Sequence, residues 1–186
     1  MNDQSQMRMP KSFSHLDTDR SIWLYIILNT ITGGIYGIVI MTVLGLDINT
    51  IASRHDGKKT MHYCLLVFLV APFTLGIGAL VWMHRLANRI ADELARRGVA
   101  LPFPFGAKTF WLWSVLWPAA LSVPLAIVSV VFALRIESAA EPYGLILGFA
   151  AAVFVLALVM SVGMYVYIHK LFKAMNTLAA DYNTNG

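Results

Sequence analysis

The chain has 186 residues, of which 58% are hydrophobic and only 13% are charged, and its formal net charge is +4. A soluble globular domain carries about 25% charged residues, and a disordered chain has few aromatic side chains, so both classes are excluded. The single Cys64 has no second cysteine with which to form a disulfide or a thiolate zinc site. The composition predicts an integral membrane protein.

Four apolar stretches are each long enough to cross a bilayer: residues 22–46, 63–83, 109–134 and 143–168. About 20 apolar residues in a helix span a hydrocarbon core roughly 30 Å thick. None of the four has an ionisable residue in its interior, so none has the feature that marks a proton relay or a route for a charged substrate. We therefore expect an all-α, multi-pass membrane protein.

The flanks of the apolar region are polar. We expect residues 1–21 to form a cytosolic tail, residues 22–168 the membrane domain, and residues 169–186 an amphipathic cytosolic tail. The first apolar stretch is too long for the apolar core of a signal peptide, so we expect the N-terminus to be retained. Residues 135–142 predict a tight loop between two antiparallel helices.

The third stretch begins with aromatic side chains around Lys108. Trp111 and Trp113 belong to this group and are candidates for the membrane interface, where amphipathic rings favour headgroup depth. Pro118 and Pro124 follow, and each removes a backbone donor, so we expect a bent packing helix.

The chain contains an internal repeat. A shift of 42 residues aligns 32–54 with 74–96, and eight of these 23 positions are then identical. A weaker third copy is visible, since residues 48–52 resemble 175–179. Each unit consists of an apolar run, a Thr/Gly break, a second apolar run and an amphipathic tail.

The Thr/Gly breaks are the candidate helix-break and packing sites. Glycine permits positive φ, so a membrane helix could bend or reverse there, but small residues four apart, such as Gly144 and Gly148, also allow close helix packing. Both alternatives stay open. The candidates are Thr32, Gly33, Gly34 and Gly37 in the first unit, and Thr74, Gly76 and Gly78 in the second.

The distribution of lysine and arginine tests two topologies. If all four stretches cross fully, ten of these residues lie on the inner side and four on the outer side. If the first two stretches are re-entrant hairpins that turn at the breaks, the ratio becomes 13 to 1, which fits the positive-inside rule better. Both topologies place the two termini in the cytosol.

The tail at residues 84–98 is predicted to be an amphipathic helix. Asp92 with Arg96 and Glu93 with Arg97 are favourably spaced ion pairs, Leu86, Ile90 and Leu94 line one stripe, and Gly98 is the expected C-cap. The lipid bilayer is the expected partner of such a helix. Nucleic acid is excluded, because no dense basic run has interleaved aromatic residues.

Five short phrases carry a family resemblance: residues 30–37, 46–49, 74–77 with Trp82, 96–98, and 175–179 with Tyr182 and Asn183. In these phrases the chain, from about Arg20 to Asn183, resembles the bacterial membrane family catalogued as domain of unknown function 4234. Gly78 and Ile40 depart from its pattern, where tyrosine and tryptophan are usual. The resemblance implies a bacterial multi-pass membrane protein and no activity.

Other polar residues have a functional and a structural interpretation. His84 and His169 occupy equivalent repeat positions and could bind a metal or sense pH, but an interfacial role is favoured, because no carboxylate or thiol lies near them in sequence. Asp47, Asn49 and Asn176 are expected to satisfy backbone groups at helix ends. Asn29, Thr30 and Thr32 could line a polar cavity, or could bond only to the local backbone.

No catalytic, cofactor-binding or metal site is predicted, because no catalytic motif and no pair of intramembrane carboxylates occurs. We expect a non-enzymatic scaffold or accessory subunit of the bacterial cytoplasmic membrane, acting through self-association or association with a membrane complex. The alternative is a small channel or transporter with a polar path at the breaks.

Overall fold

The computed structural model describes residues 15–136 and 143–185. Most of the predicted N-terminal tail and of the predicted loop at 135–142 therefore lies outside the described residues. Within the described ranges every regular element is helical, and no strand occurs. There are six helices: α1 (Ile22–Ile31), α2 (Ile35–Asp56), α3 (Tyr63–Phe73), α4 (Ile77–Arg96), α5 (Ala107–Arg135) and α6 (Tyr143–Asn185).

Each of the first two apolar stretches consists of two helices rather than one. Residues 22–46 are divided between α1 and α2, and residues 63–83 between α3 and α4. α1 has 10 residues and α3 has 11, so at 1.5 Å per residue they are about 15 Å and 16 Å long. This is roughly half the thickness of a hydrocarbon core. Neither α1 nor α3 alone is long enough to cross.

Three helices, rather than the four expected, are long and apolar enough to cross a membrane: α2, α5 and α6. α5 and α6 pack together as a long hairpin, and no side chain in the most apolar window of either is buried. α6 has 43 residues and continues without interruption through the predicted C-terminal tail, a length of about 64 Å.

Two π-helical turns precede proline residues. Leu66–Val70 lies just before Pro72 in α3, and Trp111–Leu116 lies just before Pro118 in α5. Proline has no N–H, and its ring collides with the carbonyl four residues earlier, so a widened turn relieves the collision. Pro124 lies inside the regular helical part of α5.

The buried core lies where three amphipathic segments pack together. We refer to residues 41–56 of α2, 82–96 of α4 and 167–185 of α6 as the three tails. Their fully buried side chains include Leu44, Leu86 and Leu171, and also Ile48, Ile90 and Met175. Each of these two triplets has the spacing of the sequence alignment. The stripe of Leu86, Ile90 and Leu94 that the sequence predicts is buried.

Candidate functional site

The two helix breaks have the same hydrogen bonds. In the first, the Thr32 hydroxyl donates to the Leu28 carbonyl at 2.7 Å and accepts from the Tyr36 amide at 3.0 Å. In the second, the Thr74 hydroxyl donates to Val70 at 2.8 Å, and the Gly78 amide donates to Thr74 at 3.0 Å. Threonine therefore satisfies the groups that the break leaves without helical partners.

A left-handed backbone reverses the chain at each break. Gly34 has φ +94° and Gly76 has φ +84°, and each is preceded by a second positive φ, at Gly33 (+58°) and Leu75 (+50°). Leucine rarely adopts this conformation, which costs a non-glycine residue about 1 kcal/mol. Leu75 is also 93% exposed. The second hairpin therefore ends in a strained, uncovered apolar side chain.

Gly37 and Gly78 provide close packing within their hairpins. A Cβ at Gly37 would lie 2.6 Å from Asn29 Oδ1, and one at Gly78 would lie 2.7 Å from Val70 Cγ1. Asn29 Oδ1 accepts the Gly37 amide hydrogen bond at 2.9 Å, and Thr30 donates to Ile26 within α1. The chain thus combines reversal at the breaks with close packing beside them, and the polar side chains bond to the local backbone.

Asparagine side chains of the tails bind the segments that lead into the hairpins. We call residues 16–21 and 57–62 the first and second lead-ins. Asn176 exchanges two hydrogen bonds of 3.2 Å with the backbone of Arg20. Asn49 exchanges two with Thr60, at 2.6 and 2.9 Å. Both asparagines lie inside their helices, so the expectation that they satisfy helix ends is wrong.

A charged side chain of each hairpin's own tail binds the same lead-in. Asp47 forms an ion pair with the Arg20 guanidinium, whose side chain is almost fully buried. At the position 42 residues further on, Arg89 forms two hydrogen bonds with Asp56, at 2.7 and 3.0 Å, and donates to the Lys58 carbonyl at 2.6 Å. Each lead-in is therefore fixed beside the tail of its own hairpin. Asp47 is not at a helix end, since α2 continues to Asp56.

A further charge cluster joins α4 to α6. Glu93 is buried and accepts from Arg97 at 2.8 Å, as the sequence predicts. Arg96 pairs with Glu93 at 2.6 Å instead of with the predicted Asp92, which lies on the exposed side of the helix. Arg97 also reaches Asp181 of α6 at 2.9 Å. Burial acts to raise the pKa of Glu93, but the hydrogen bonds from the two arginines outweigh it, and the pKa lies below its ordinary value.

Two of the interface candidates contact each other. The Trp111 indole donates to His84 Nδ1 at 3.0 Å, which fixes the start of α5 against α4. Trp113 lies beneath Lys170, with Nζ 5.8 Å from its ring centroid. His169 is exposed on α6. Within residues 15–136 and 143–185, no three His, Cys, Asp or Glu side chains are grouped as a metal site would require.

A groove of about 1230 Å³ lies along the second hairpin. One end is apolar and is formed by Leu66 and Val70 of α3 with Ile77 and Val81 of α4. The other end is polar, because the second lead-in and the α4 tail supply five cations and three carboxylates: Lys58, Lys59, Arg85, Arg89, Arg96, Asp56, Asp92 and Glu93. The sequence analysis did not find this groove, because it depends on how the lead-in folds back against α4.

Residues 20–92 match the model of the family described as Domain of unknown function (DUF4234). The family resemblance is therefore confirmed over this segment, which contains both short hairpins and ends within α4. No curated protein and no solved structure matches the chain.

Proposed function

We propose that this chain is a non-enzymatic scaffold or accessory subunit of a bacterial cytoplasmic membrane. In this proposal α1–α2 and α3–α4 re-enter from the cytosolic side, α5–α6 crosses fully, and both termini are cytosolic. The observation that carries the topology is the binding of each lead-in to the tail of its own hairpin, through Arg20 to Asp47 and through Lys58 and Thr60 to Arg89. A hairpin that begins and ends at the same level returns to the side from which it started.

The lengths and charges support re-entry. α1 and α3 have about half the length of a full crossing, and the breaks that follow them end in exposed apolar side chains. The re-entrant arrangement also places 13 of the 14 lysine and arginine residues on one side. We further propose that the tails derive from a threefold repeat, which is supported by the equivalent buried positions 44, 86 and 171.

A structural role is supported by the use of the polar side chains. Asp47, Asn49, Arg89, Glu93 and Asn176 all bind other parts of the chain, so the charged groups of the core hold the helical units together. The outward surface of the α5–α6 hairpin is apolar, which suits contact with lipid and with transmembrane helices. We propose that it associates with another membrane protein, a second copy included.

Cysteine accessibility tests the topology. Lys58→Cys in a Cys64→Ser background keeps the Lys58 carbonyl and its hydrogen bonds, because only the exposed side chain changes. Asn185→Cys and Ser138→Cys mark the two sides of the α5–α6 hairpin. We expect Lys58→Cys to label together with Asn185→Cys. Labelling together with Ser138→Cys would contradict re-entry and support four plain crossings.

Cross-linking in native membranes tests association. Gly148→Cys lies in a small apolar groove of about 410 Å³ between α5 and α6, whereas Ala150→Cys lies about 200° away on the same helix. We expect cross-linked products from Gly148→Cys and far fewer from Ala150→Cys. A strictly monomeric protein without co-purifying partners would refute the scaffold proposal.

Flux measurements test the channel alternative. The hydroxyls of Thr32 and Thr74 bond to their own helices, which leaves the scaffold as the better supported role. Ion or solute flux into proteoliposomes that falls in the Gly34→Leu and Gly76→Leu variants would instead favour the channel. The absence of flux for the unmodified protein would remove that alternative.

A further inference from the structure

The groove along the second hairpin changes from apolar to basic over a short distance. Leu66, Val70 and Ile77 line the end near the break. Arg85 lies eight residues beyond Ile77 on the same helix, which is about 12 Å. At about 1230 Å³, the groove exceeds the 300–1,000 Å³ typical of sites for small molecules. A ligand that fills it needs an apolar portion and an anionic portion.

The cations at the polar end differ in how they are used. Arg89 is bound to Asp56, and Arg96 to Glu93. Lys59 and Arg85 are exposed, and neither forms an ion pair with any residue in the described part of the chain. Asp92 also lines the groove, but it lies seven residues beyond Arg85, about 10 Å further from the apolar end. Two cations are therefore available beside the apolar portion.

We propose that this groove is a binding site for one anionic glycerophospholipid. Its phosphate contacts Lys59 and Arg85, and an acyl chain lies against Val70, Ile77 and Val81. Guanidinium and ammonium groups both bind phosphate, and basic residues at a membrane surface favour anionic lipids. The apolar end adjoins the exposed tip of the hairpin at Leu75, which gives an acyl chain direct access from the bilayer. This site does not depend on the scaffold proposal.

Lipid retention by the purified full-length protein tests the site. The protein is reconstituted in nanodiscs of equal phosphatidylglycerol and phosphatidylcholine, extracted, and analysed for bound lipid by native mass spectrometry. We expect enrichment of phosphatidylglycerol, lost in Lys59→Gln/Arg85→Gln by about fivefold for each charge removed. Arg54→Gln/Lys173→Gln is the matched control, because it removes the same two residue types from exposed positions outside the groove.

A second variant tests the apolar end. Val81→Phe fills part of the groove from a side chain that is already 43% exposed, so the fold is kept while retention of both lipids falls. Equal losses in the control pair, or no preference for phosphatidylglycerol, would overturn the proposal. Inorganic phosphate that displaces the lipid at millimolar concentration would also overturn it, because the site would then recognise free phosphate rather than the whole amphiphile.

Discussion

At Gly163, α6 packs directly against the backbone of α5. A Cβ at this position would overlap the Trp113 carbonyl oxygen and would lie 2.6 Å from Cδ1 of the Trp117 ring. Contacts of a real Cβ are essentially never below 3.0 Å, so something must move. The carbonyl belongs to a helix backbone, and the Trp117 indole is held by its hydrogen bond to the Val159 carbonyl at 3.1 Å. Neither neighbour can move at low cost.

We therefore expect Gly163→Ala to destabilise the protein by about 3 kcal/mol. Overpacking costs about 1–3 kcal/mol, and loss of the Trp117 hydrogen bond adds about 1 kcal/mol. The same substitution at Gly148 is the control, because a Cβ there meets nothing within 4 Å. Replacement of a helical glycine by alanine in open space should stabilise the protein by about 0.5–1 kcal/mol.

The free energy of unfolding can be measured by titrating detergent micelles with SDS, with far-UV circular dichroism and tryptophan fluorescence as signals. Trp113 and Trp117 flank the substituted site, so fluorescence should change at the transition of Gly163→Ala before helicity is lost. A Gly163→Ala variant within about 0.5 kcal/mol of the unmodified protein would refute the packing of α5 against α6 at this position.

Three further predictions concern the second hairpin and its tail. Leu75→Gly should raise the free energy of unfolding in detergent by about 1 kcal/mol, because it relieves the positive φ; no gain would contradict that backbone conformation. Asn49→Ala should lower it by about 1–3 kcal/mol through the two lost bonds to Thr60, measured against Asn49→Asp, which keeps the acceptor. Glu93 has a lowered pKa, so its contribution to stability is present above the ordinary pKa of about 4.3 and is lost as the pH falls through the lower folded value. Unfolding titrations at neutral pH and at about pH 3.5 should therefore differ less for Glu93→Gln than for the unmodified protein, and equal pH dependence would contradict the role of this carboxylate.

Local chemistry makes some features readable from the sequence. A Thr-Gly-Gly or Thr-Leu-Gly sequence between apolar runs combines a side chain that bonds to its own backbone with a residue that permits positive φ, and the chain leaves the helix at these positions. The apolar stripe of the α4 tail has helical spacing and is buried. Both features depend on residues within one or two turns of each other.

Packing between helices is less accessible, because it depends on how each helix is rotated. Gly144 and Gly148 have the spacing of a packing motif, yet a Cβ at either position would meet nothing within 4 Å. Gly163 has no such partner in the sequence and is buried against α5. The ion pair of Arg20 with Asp47 joins residues 27 apart, and neither residue type indicates its partner.

The fixing of the lead-ins explains why equivalent positions carry opposite charges. Asp47 and Arg89 are 42 residues apart in the alignment, and each binds the lead-in of its own hairpin, through Arg20 in one case and through Asp56 and the Lys58 carbonyl in the other. The sign of the charge is therefore not what the two sites share; they share a fixed distance between the start of the short helix and the tail. Because α1 and α3 differ by only one residue, that distance sets both breaks at nearly the same height above the core. A hairpin held in this way has a defined depth without needing a partner at its tip, which accounts for tips that are apolar and uncovered.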